Sequence, residues 1–457
     1  MSNQAPRTKP VPQVMIVGAG VGSLTLAILL DQIDIPYHIF ERATEVKPLG
    51  SAMSFGGHIF PALEQLGILK ELVQVSKSYT EINFFDENCK DIGTHHVKVI
   101  KEATGYDLLA FSRPQLYEIL RKRVPEHRIS FKKKVLRSEE KEGKIIIHCS
   151  DNSAYSGDIL VGADGAHSGV RQSLYKRLSE EGILPKSDLE AFSIGYTTIV
   201  GVASPSNPEK YPRLAEDGAA FQQILYNDSC NCYIITLPNN QISWGFGIQL
   251  PKAELKEMQF RNSEWSSEAN DAALKDYRDL PCPLGGTMGD IFDATPKNLI
   301  SKVFLEEKMF TTWHHGRVVL LGDACHKFHP AGGQGAANAI KDAIVLANCL
   351  YNMTDSSLKS IAAAFDDYYR QRYSRAEEAY KRSVLMAKVL NGQKWSERLV
   401  RNVFLNHQPT WLLKGSLYKA HAYRPQVAWL PLVENRGNGP VLAQESRADD
   451  STGAVEV

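Results

Sequence analysis

The stretch from Val14 to Leu30 constrains the fold more than any other part of the chain. It reads VMIVGAGVGSLTLAILL, which is slightly short for a membrane span and has its glycines clustered in one place. The pattern predicts a strand at Val14–Val17, a tight glycine turn and a helix from Val21 to about Gln32. A second strand is predicted at Tyr37–Phe40. This order predicts a βαβ unit, in which a helix joins two parallel strands.

The glycine turn and an acidic residue after the second strand match a dinucleotide-binding fingerprint. Gly18 and Gly20 serve the tight turn and the close approach of a phosphate to the backbone. The third glycine position is taken by Ser23, with Gly22 one place earlier, and serine is small enough to keep the helix close to the strand. Glu41 lies about twenty residues on, where an acid accepts a ribose hydroxyl. A glycine turn without a nucleotide is the alternative.

A second strand, loop and helix pattern runs from Arg317 to Leu350. An apolar run at Val318–Leu321 predicts a buried strand, which Gly322-Asp323 breaks. The loop Pro330–Gly335 leads into a helix with its free N–H groups and positive dipole end directed into the loop. One buried face of this helix is predicted from the spacing of Ala337, Ile340, Ile344 and Ala347. Because the free N–H groups stabilise negative charge, such a loop suits a ligand that becomes negatively charged.

The segment GDACHKFHPAGGQG, residues 322–335, resembles the GD motif of FAD-dependent monooxygenases of the para-hydroxybenzoate hydroxylase type. Reduced flavin is a ligand that becomes negative along one edge of its ring. A second motif, Asp164-Gly165 followed by Ser168 and Arg171, is similar to the DG motif of the same family. With the glycine fingerprint, the motifs occur in family order and span almost the whole chain.

The resemblance implies an α/β fold with a Rossmann-like FAD-binding domain, an inserted antiparallel β-sheet substrate domain and a helical C-terminal region. We place the segments as follows: a disordered N-terminus at 1–12, the FAD-binding domain at 13–190 and again at 286–350, the substrate sheet at 191–285, the helical region at 351–436, and a disordered tail at 437–457.

The resemblance also implies which residues contact the FAD. Arg113 follows the strand Leu108–Phe111 and matches the family arginine that contacts phosphate or ribose, and Ser112 with Gln115 predicts a capping box there. The predicted cofactor-binding residues are Gly18, Gly20, Gly22, Ser23, Glu41, Arg42, Arg113, Asp164, Asp323, Pro330, Gly333, Gln334, Gly335 and Ala336.

The reaction implied by the resemblance uses NAD(P)H, O₂ and a small-molecule substrate. NAD(P)H reduces FAD as a transient co-substrate, O₂ adds to the flavin C4a carbon, and the resulting hydroperoxide transfers an electrophilic oxygen. An electrophilic oxygen requires an electron-rich partner, so hydroxylation and epoxidation both stay open. Aromatic residues on the predicted sheet favour an apolar or phenolic substrate, and these are Phe221, Tyr226, Tyr233, Trp244 and Phe246. The run from Arg424 to Val433 is similar to fungal members that act on terpenoid or polyketide products.

The candidates for a catalytic acid or base are His329 and Tyr226, and either residue type is more often a packing or loop residue. Cys325, His326 and His329 form a C-H-x-x-H pattern that could suggest a metal. No outlying Cys/His pair at zinc spacing accompanies it, so we predict no metal site.

The bulk composition limits the partners and the compartment. Lys+Arg and Asp+Glu both number 52, so the formal net charge of +0 argues against a nucleic-acid surface. Seven scattered cysteines show no disulfide framework, which favours a reducing, cytoplasmic location. The sequence predicts no signal peptide and no transmembrane helix, and leaves the oligomeric state open. A reductase or oxidase with FAD on the same fold, and a non-enzymatic nucleotide-binding protein, are the alternatives.

Overall fold

The computed structural model describes residues 11–45, 51–226, 230–250, 267–391, 395–403, 405 and 409–444. In chain order its strands are β1 (Val14–Val17), β2 (Tyr37–Phe40), β3 (Ala52–Phe55), β4 (Lys77–Tyr79), β5 (Glu81–Asp86), β6 (Asp91–His96), β7 (Leu108–Ser112), β8 (Ile129–Ser130), β9 (Val135–Lys141), β10 (Lys144–Cys149), β11 (Ala154–Gly157), β12 (Ile159–Gly162), β13 (Ser193–Ala203), β14 (Phe221–Leu225), β15 (Cys230–Leu237), β16 (Gln241–Gln249), β17 (Ser301–Met309), β18 (His314–His315), β19 (Val318–Leu320) and β20 (His326–Lys327). The α-helices are α1 (Val21–Gln32), α2 (Phe60–Gln65), α3 (Leu69–Gln74), α4 (Lys98–Thr104), α5 (Arg113–Arg121), α6 (Gly169–Glu180), α7 (Lys186–Leu189), α8 (Ser267–Leu274), α9 (Met288–Asp293), α10 (Gly335–Tyr351), α11 (Leu358–Asn391), α12 (Trp395–Asn402) and α13 (Thr410–His421).

A six-stranded sheet forms the centre of the first layer, in the order β18-β19-β12-β1-β2-β8. All of its pairings are parallel except that of β18 with β19. The four residues of β1 are all buried, as expected for a parallel strand covered on both faces. The predicted β1, α1 and β2 form at the predicted residues. This confirms the βαβ unit.

An eight-stranded sheet forms the second layer, in the order β20-β17-β13-β16-β15-β14-β5-β6. Its pairings are antiparallel apart from that of β14 with β5, which is parallel. A tight turn between β15 and β16 forms at Asn239 and Asn240, with φ of +60° and +54°. Strands β5, β6, β17 and β20 come from outside 191–285, so the sheet and that predicted segment do not coincide. These strands belong to the sheet because they form hydrogen-bonded pairs with its other strands. The spacing of apolar residues along the sequence does not indicate which distant strands pair.

Two smaller sheets complete the strand layers, β11-β10-β9 and β3-β7-β4. The second packs its apolar face against β15 of the eight-stranded sheet, in a cluster that includes Leu108, Ala110 and Ile235. In the C-terminal region, α11 is 34 residues long and packs against α10. No helix in the described part of the chain is both long and apolar enough to cross a membrane.

Part of the predicted disordered tail is in fact anchored. The N–H groups of Asn438 and Gly439 donate to the carbonyls of Glu102 and Ala103, and Arg436 pairs with Glu64 at 2.5 Å. The last carbonyls of α4 have no partner within their own helix, and this segment supplies donors for them. Expectations for residues 1–10 and 445–457 lie outside the described residues. All seven cysteines are described, and none forms a disulfide.

Candidate active site

Four neighbouring strands of the six-stranded sheet end at one edge, with predicted site residues just beyond them. Gly18 follows β1 and Glu41 follows β2. Asp164 comes two residues after β12, and Asp323 three residues after β19. Because β1 lies between β2 and β12, and β19 lies beside β12, these positions are adjacent in space. Open parallel sheets bind ligands beyond such strand ends, so the structure brings the two halves of the predicted site together.

The first two glycines of the fingerprint have different surroundings. Gly18 has a φ of +98°, and a Cβ there would lie 2.4 Å from the carbonyl oxygen of Ala163. It therefore provides the turn and the close strand contact. Gly20 is the N-cap of α1, in extended backbone, and a Cβ there would meet no atom within 4 Å. Its backbone borders open space at a helix N-terminus, the arrangement that receives a phosphate.

A close contact of α1 lies at Gly22, one place before the third motif position at Ser23. A Cβ at Gly22 would lie 2.5 Å from a methyl carbon of Leu321 and 3.2 Å from Cβ of Ala339. Gly22 therefore lets α1 approach both β19 and α10. Ser23 is buried, and its hydroxyl has no hydrogen-bond partner among the described residues.

Glu41 is fixed by two backbone donors. One carboxylate oxygen accepts from the N–H of Ala19 at 2.7 Å and the other from the N–H of Ala43 at 2.8 Å. Each carboxylate oxygen offers about two acceptor positions, so each retains one. The carboxylate is therefore oriented at the strand end, with capacity left for a hydroxyl. Arg42, the next residue, is exposed.

Helix α5 begins without the predicted capping box. The hydroxyl of Ser112 donates to the side-chain carbonyl of Gln115 at 2.9 Å, and it accepts no backbone N–H. The hydroxyl serves as a donor here because the Gln115 amide oxygen lies within reach. Arg113 is exposed, and its guanidinium has no hydrogen bond or ion pair with the described residues. Its contact with phosphate or ribose stays a prediction.

Asp164 caps the start of α6 and keeps one oxygen unsatisfied. Its Oδ2 accepts from the N–H groups of Gly169 at 2.7 Å and Val170 at 3.3 Å. Its Oδ1 is buried without a partner among the described residues. Burial raises the pKa of Asp164, against the opposing effect of these backbone donors and of Ser168. A bound ligand or water would satisfy the remaining oxygen.

Asp323 lies in a 3₁₀ turn, Gly322–Ala324, and is partly exposed. Its Oδ2 pairs with the ammonium of Lys327 at 2.5 Å, a partner that the sequence interpretation did not include. Partly exposed pairs of this kind contribute at most about 1 kcal/mol to stability. The role of Asp323 as a cofactor-binding residue stays a prediction.

In the loop from His329 to Gly335, the backbone at two glycines borders open space. A Cβ at Gly333 or Gly335 would meet nothing within 4 Å, whereas one at Gly332 would lie 2.9 Å from Ser383. Gly333 has a φ of +61° and ends a short 3₁₀ turn that starts at Pro330. Helix α10 then begins, and its first N–H groups, at Gly335 to Ala337, have no intrahelical carbonyl to bind. The predicted residues 330 to 336 thus form one open donor site at a positive helix end.

A buried ion-pair network holds this loop and turn in place, and sequence reasoning missed it. The carboxylate of Asp342 binds Arg372 Nε at 2.7 Å and His326 Nε2 at 2.6 Å, with all three side chains fully buried. Asp342 also accepts the N–H of Gly322 at 3.1 Å, and Arg372 donates to Asn338 at 2.9 Å. The network therefore ties the 322–326 turn to α10 and α11. The sequence signal was Asn338 and Asp342, two polar residues one turn apart in an apolar helix.

The same network explains the metal-like pattern. Cys325, His326 and Asp342 place their ligand atoms within 4.8 Å of one another, so the third member is Asp342 and not His329. The guanidinium of Arg372 already neutralises Asp342. Burial raises the pKa of the Cys325 thiol well above its usual value, which disfavours the thiolate that a metal needs. The ion pair between Asp342 and Arg372 therefore explains why Cys325, His326 and Asp342 lie close together.

The two candidates for a catalytic acid or base occupy different environments. Tyr226 stacks on Phe246, with ring centroids 5.9 Å apart, on the face of the sheet covered by α9. It packs in the core under α9, and its candidacy as an acid or base stays a prediction. His329 is buried beside the ring of Tyr196, 5.1 Å away, and its Nδ1 accepts from the N–H of Ala331 at 3.2 Å. Burial lowers the pKa of His329 to about 4, so it is neutral at pH 7.

The face of the eight-stranded sheet opposite α9, here called the inner face, lies against the loop from His329 to Gly335. Phe84 and Leu225 on this inner face pack with Leu390 of α11 and with Ala331 of the loop. Alternation of side chains divides the predicted aromatic set: Phe221 and Tyr233 lie on the inner face, whereas Tyr226, Trp244 and Phe246 are in the core under α9.

The inner face also carries a row of hydrogen-bonded amide side chains. Gln223 donates to Asn231 at 2.9 Å, and the amide of Asn231 donates to Asn391 at the end of α11. The inner face is therefore more polar than the aromatic count suggested.

Comparisons with known proteins agree with this geometry. A family model described as "FAD binding domain" matches residues 12–193 and 288–383, more than half of the chain. The FAD-dependent monooxygenase ausM of Aspergillus calidoustus is 29% identical over 446 residues, covering 94% of this chain and 91% of that protein. The FAD-dependent monooxygenase prhF of Penicillium brasilianum is 28% identical, covering 99% and 94%.

Two solved structures share the fold. Klebsiella pneumoniae HpxO, complexed with FAD and uric acid, has a TM-score of 0.73 at 21% identity and covers 90% of this chain and 97% of its own. The 2,6-dihydroxypyridine-3-hydroxylase of Arthrobacter nicotinovorans has a TM-score of 0.67 at 16% identity, covering 84% and 94%.

Three features of the described residues fit a bound FAD. The backbone at Gly20 borders open space at the N-terminus of α1, where a pyrophosphate needs room. The fixed carboxylate of Glu41 keeps acceptor capacity for a ribose. The free N–H groups at the start of α10 offer donors to the edge of a ring that becomes negative on reduction.

Proposed function

The chain belongs to this family of FAD-binding proteins and is an FAD-dependent monooxygenase, and we propose that it uses NAD(P)H and O₂ to hydroxylate or epoxidise an apolar or phenolic small molecule. The observation that carries the proposal is the open donor loop from Pro330 to Gly335, which lies opposite the inner face of the eight-stranded sheet. A substrate between these two surfaces would lie beside the ring-binding end of α10.

When bound, FAD supplies the transfer of electrons from NAD(P)H and the activation of O₂. The N–H groups of Gly335, Ala336 and Ala337 stabilise negative charge at the ring edge, because they are fixed dipoles that need no rearrangement. Arg113, exposed and without a partner in the described chain, attracts the phosphates. Asp342 and Arg372 act indirectly by positioning the turn and helix that carry these groups.

The inner face supplies exclusion of water and orientation of the substrate. Phe84, Leu225 and Leu390 cover one side of the loop with apolar surface. Gln223 and Asn231 contribute amide groups that can hydrogen-bond a hydroxyl. His329 is neutral, so its role is to hold Ala331 and the loop rather than to deliver a proton as an imidazolium. A lining of this kind supports a substrate that has both an apolar body and hydrogen-bonding groups, such as a phenol.

The substrate class is tested by NAD(P)H consumption. We expect phenolic or prenylated compounds to stimulate oxidation of NADPH or NADH by the FAD-loaded protein and to yield products heavier by one oxygen. The Gly20→Val variant, whose side chain would enter the open space before α1, is the control and should show neither effect. Stimulation by small, highly charged metabolites alone would contradict the proposed class.

A further inference from the structure

A second cavity, of about 290 Å³, lies between α10, α11 and α13, and the proposed reaction does not use it. It adjoins the donor loop only at Gln334 and extends along α10 past Asn338 to Lys341. Its wall formed by α10 and α11 is cationic. The wall formed by α13 and the following segment is largely apolar, with Ala420, Ala422 and Leu442.

Three cations that line this cavity, Lys341, Arg375 and Arg382, form no ion pair within the described chain. Lys341 is 5% exposed and has no hydrogen bond or ion pair with any described residue. Arg375 and Arg382, which also line the cavity, likewise form no ion pair within the described chain. Glu378 is the one acid among the described lining residues, and it lies 3.9 Å from Lys419. A buried charge is costly unless an opposite charge and hydrogen bonds compensate it.

Two further polar atoms at the cavity are buried without a partner in the described chain. They are the Nη1 of Arg372, a side chain that is 0% exposed, and the hydroxyl of Tyr423. Arg372 uses its Nε and Nη2 in the Asp342 network, so Nη1 is the donor left over. Both residues line the cavity.

Three cationic side chains make cation–π contacts with the ring of Tyr423. Lys341 lies 5.8 Å from its centroid, Arg372 5.4 Å and Arg375 5.6 Å. A single aromatic ring compensates only a small part of the desolvation of one buried cation. Burial, with Arg372 and Arg382 nearby, lowers the pKa of Lys341 well below its usual value, so an anion placed here would stabilise the ammonium form.

We propose that this cavity binds the carboxylate or phosphate group of an amphiphilic organic acid. The acid group contacts Lys341, Arg375 and the free Nη1 of Arg372, and accepts a hydrogen bond from the hydroxyl of Tyr423. The apolar body lies along Ala420, Ala422 and Leu442. Lys341 and Arg375 have no place in the proposed oxygenation, and the cavity meets the donor loop only at Gln334.

The test is isothermal titration of the FAD-loaded protein with octanoate, octyl phosphate, octanol and inorganic phosphate. We expect octanoate or octyl phosphate to bind to the wild type and octanol not to bind. Lys341→Met and Arg375→Gln should each weaken binding at least about tenfold, because each removes a charge that the anion compensates. Lys359→Met, at an exposed lysine on α11, is the matched control and should leave binding unchanged.

Thermal unfolding of the same variants separates binding from misfolding. Lys341→Met should melt at or above the wild-type temperature, because it removes a buried uncompensated charge. Octanoate should raise the melting temperature of the wild type but not of this variant. Equal binding of octanol, equal binding by Lys341→Met, or no binding by either acid would overturn the proposal. Inorganic phosphate binding as tightly as octyl phosphate would overturn the amphiphilic ligand and leave a free-anion site.

Discussion

Replacing Arg372 with leucine is expected to lower the free energy of unfolding by about 3–5 kcal/mol, because it leaves the carboxylate of Asp342 buried without its main cation. Asp342 and Arg372 are both 0% exposed, and the distance between Arg372 Nε and Asp342 Oδ1 is 2.7 Å. His326 and the N–H of Gly322 remain as partners of Asp342, but neither is a permanent cation. The loss should appear as a lower midpoint in urea or thermal unfolding.

The matched control for this variant is Arg278→Leu. Arg278 pairs with Asp293 at 2.6 Å, but the two side chains are 43% and 67% exposed. Water and salt screen such a pair, so its loss should cost less than about 1 kcal/mol. Equal midpoints for the two variants would show that the Asp342 network does not stabilise the fold as described.

Replacing Gly20 with valine is expected to weaken FAD binding by about 3 kcal/mol or more, on the order of a hundredfold, because the side chain fills the space that the pyrophosphate needs. Gly20 has a φ of −77°, which an L-residue adopts readily, and a Cβ there meets no protein atom within 4 Å. The fold should therefore tolerate the substitution. Flavin absorbance after reconstitution, with fluorescence titration of FAD, measures the effect.

Gly20→Ala provides a graded control with a single methyl group. It should weaken FAD binding less than valine does, and the melting temperatures of the two apo variants should match that of the wild-type apoprotein. An unchanged FAD dissociation constant for Gly20→Val would place the pyrophosphate elsewhere.

Local patterns predicted the β1, α1 and β2 unit well because each boundary has a local cause. The apolar run of β1 ends at Gly18, whose left-handed backbone no branched residue adopts without strain. The hairpin turn at Asn239 and Asn240 was predictable for the same reason, since asparagine tolerates positive φ. Such features depend on neighbours in sequence and not on the rest of the fold.

The Asp342 network could not be assigned from the sequence. Asp342 and Asn338 were visible as polar residues inside an apolar helix. Their partner, Arg372, lies on another helix whose sequence carries several arginines, and only the packing of α10 on α11 selects one of them. Similarly, strand alternation shows that Trp244 and Phe246 share a face, but not that α9 covers this face. Tertiary packing thus decided which aromatic residues could meet a substrate.

The capping box at Ser112 failed for a different reason. The pattern Ser-x-x-Gln was present, but it does not specify the direction of hydrogen bonds, and the serine hydroxyl donates to Gln115 instead of accepting a backbone N–H. The error concerns a single position, and the predicted strand ends were unaffected.

The proposed monooxygenation is tested most directly by supplying ¹⁸O₂ to the FAD-loaded protein with NAD(P)H and a phenolic or prenylated substrate that stimulates consumption. The account predicts a product that contains one ¹⁸O atom, formed in proportion to the NAD(P)H oxidised. Hydrogen peroxide formed in proportion to NAD(P)H, with no labelled product from any stimulating compound, would contradict it and indicate an oxidase on the same fold.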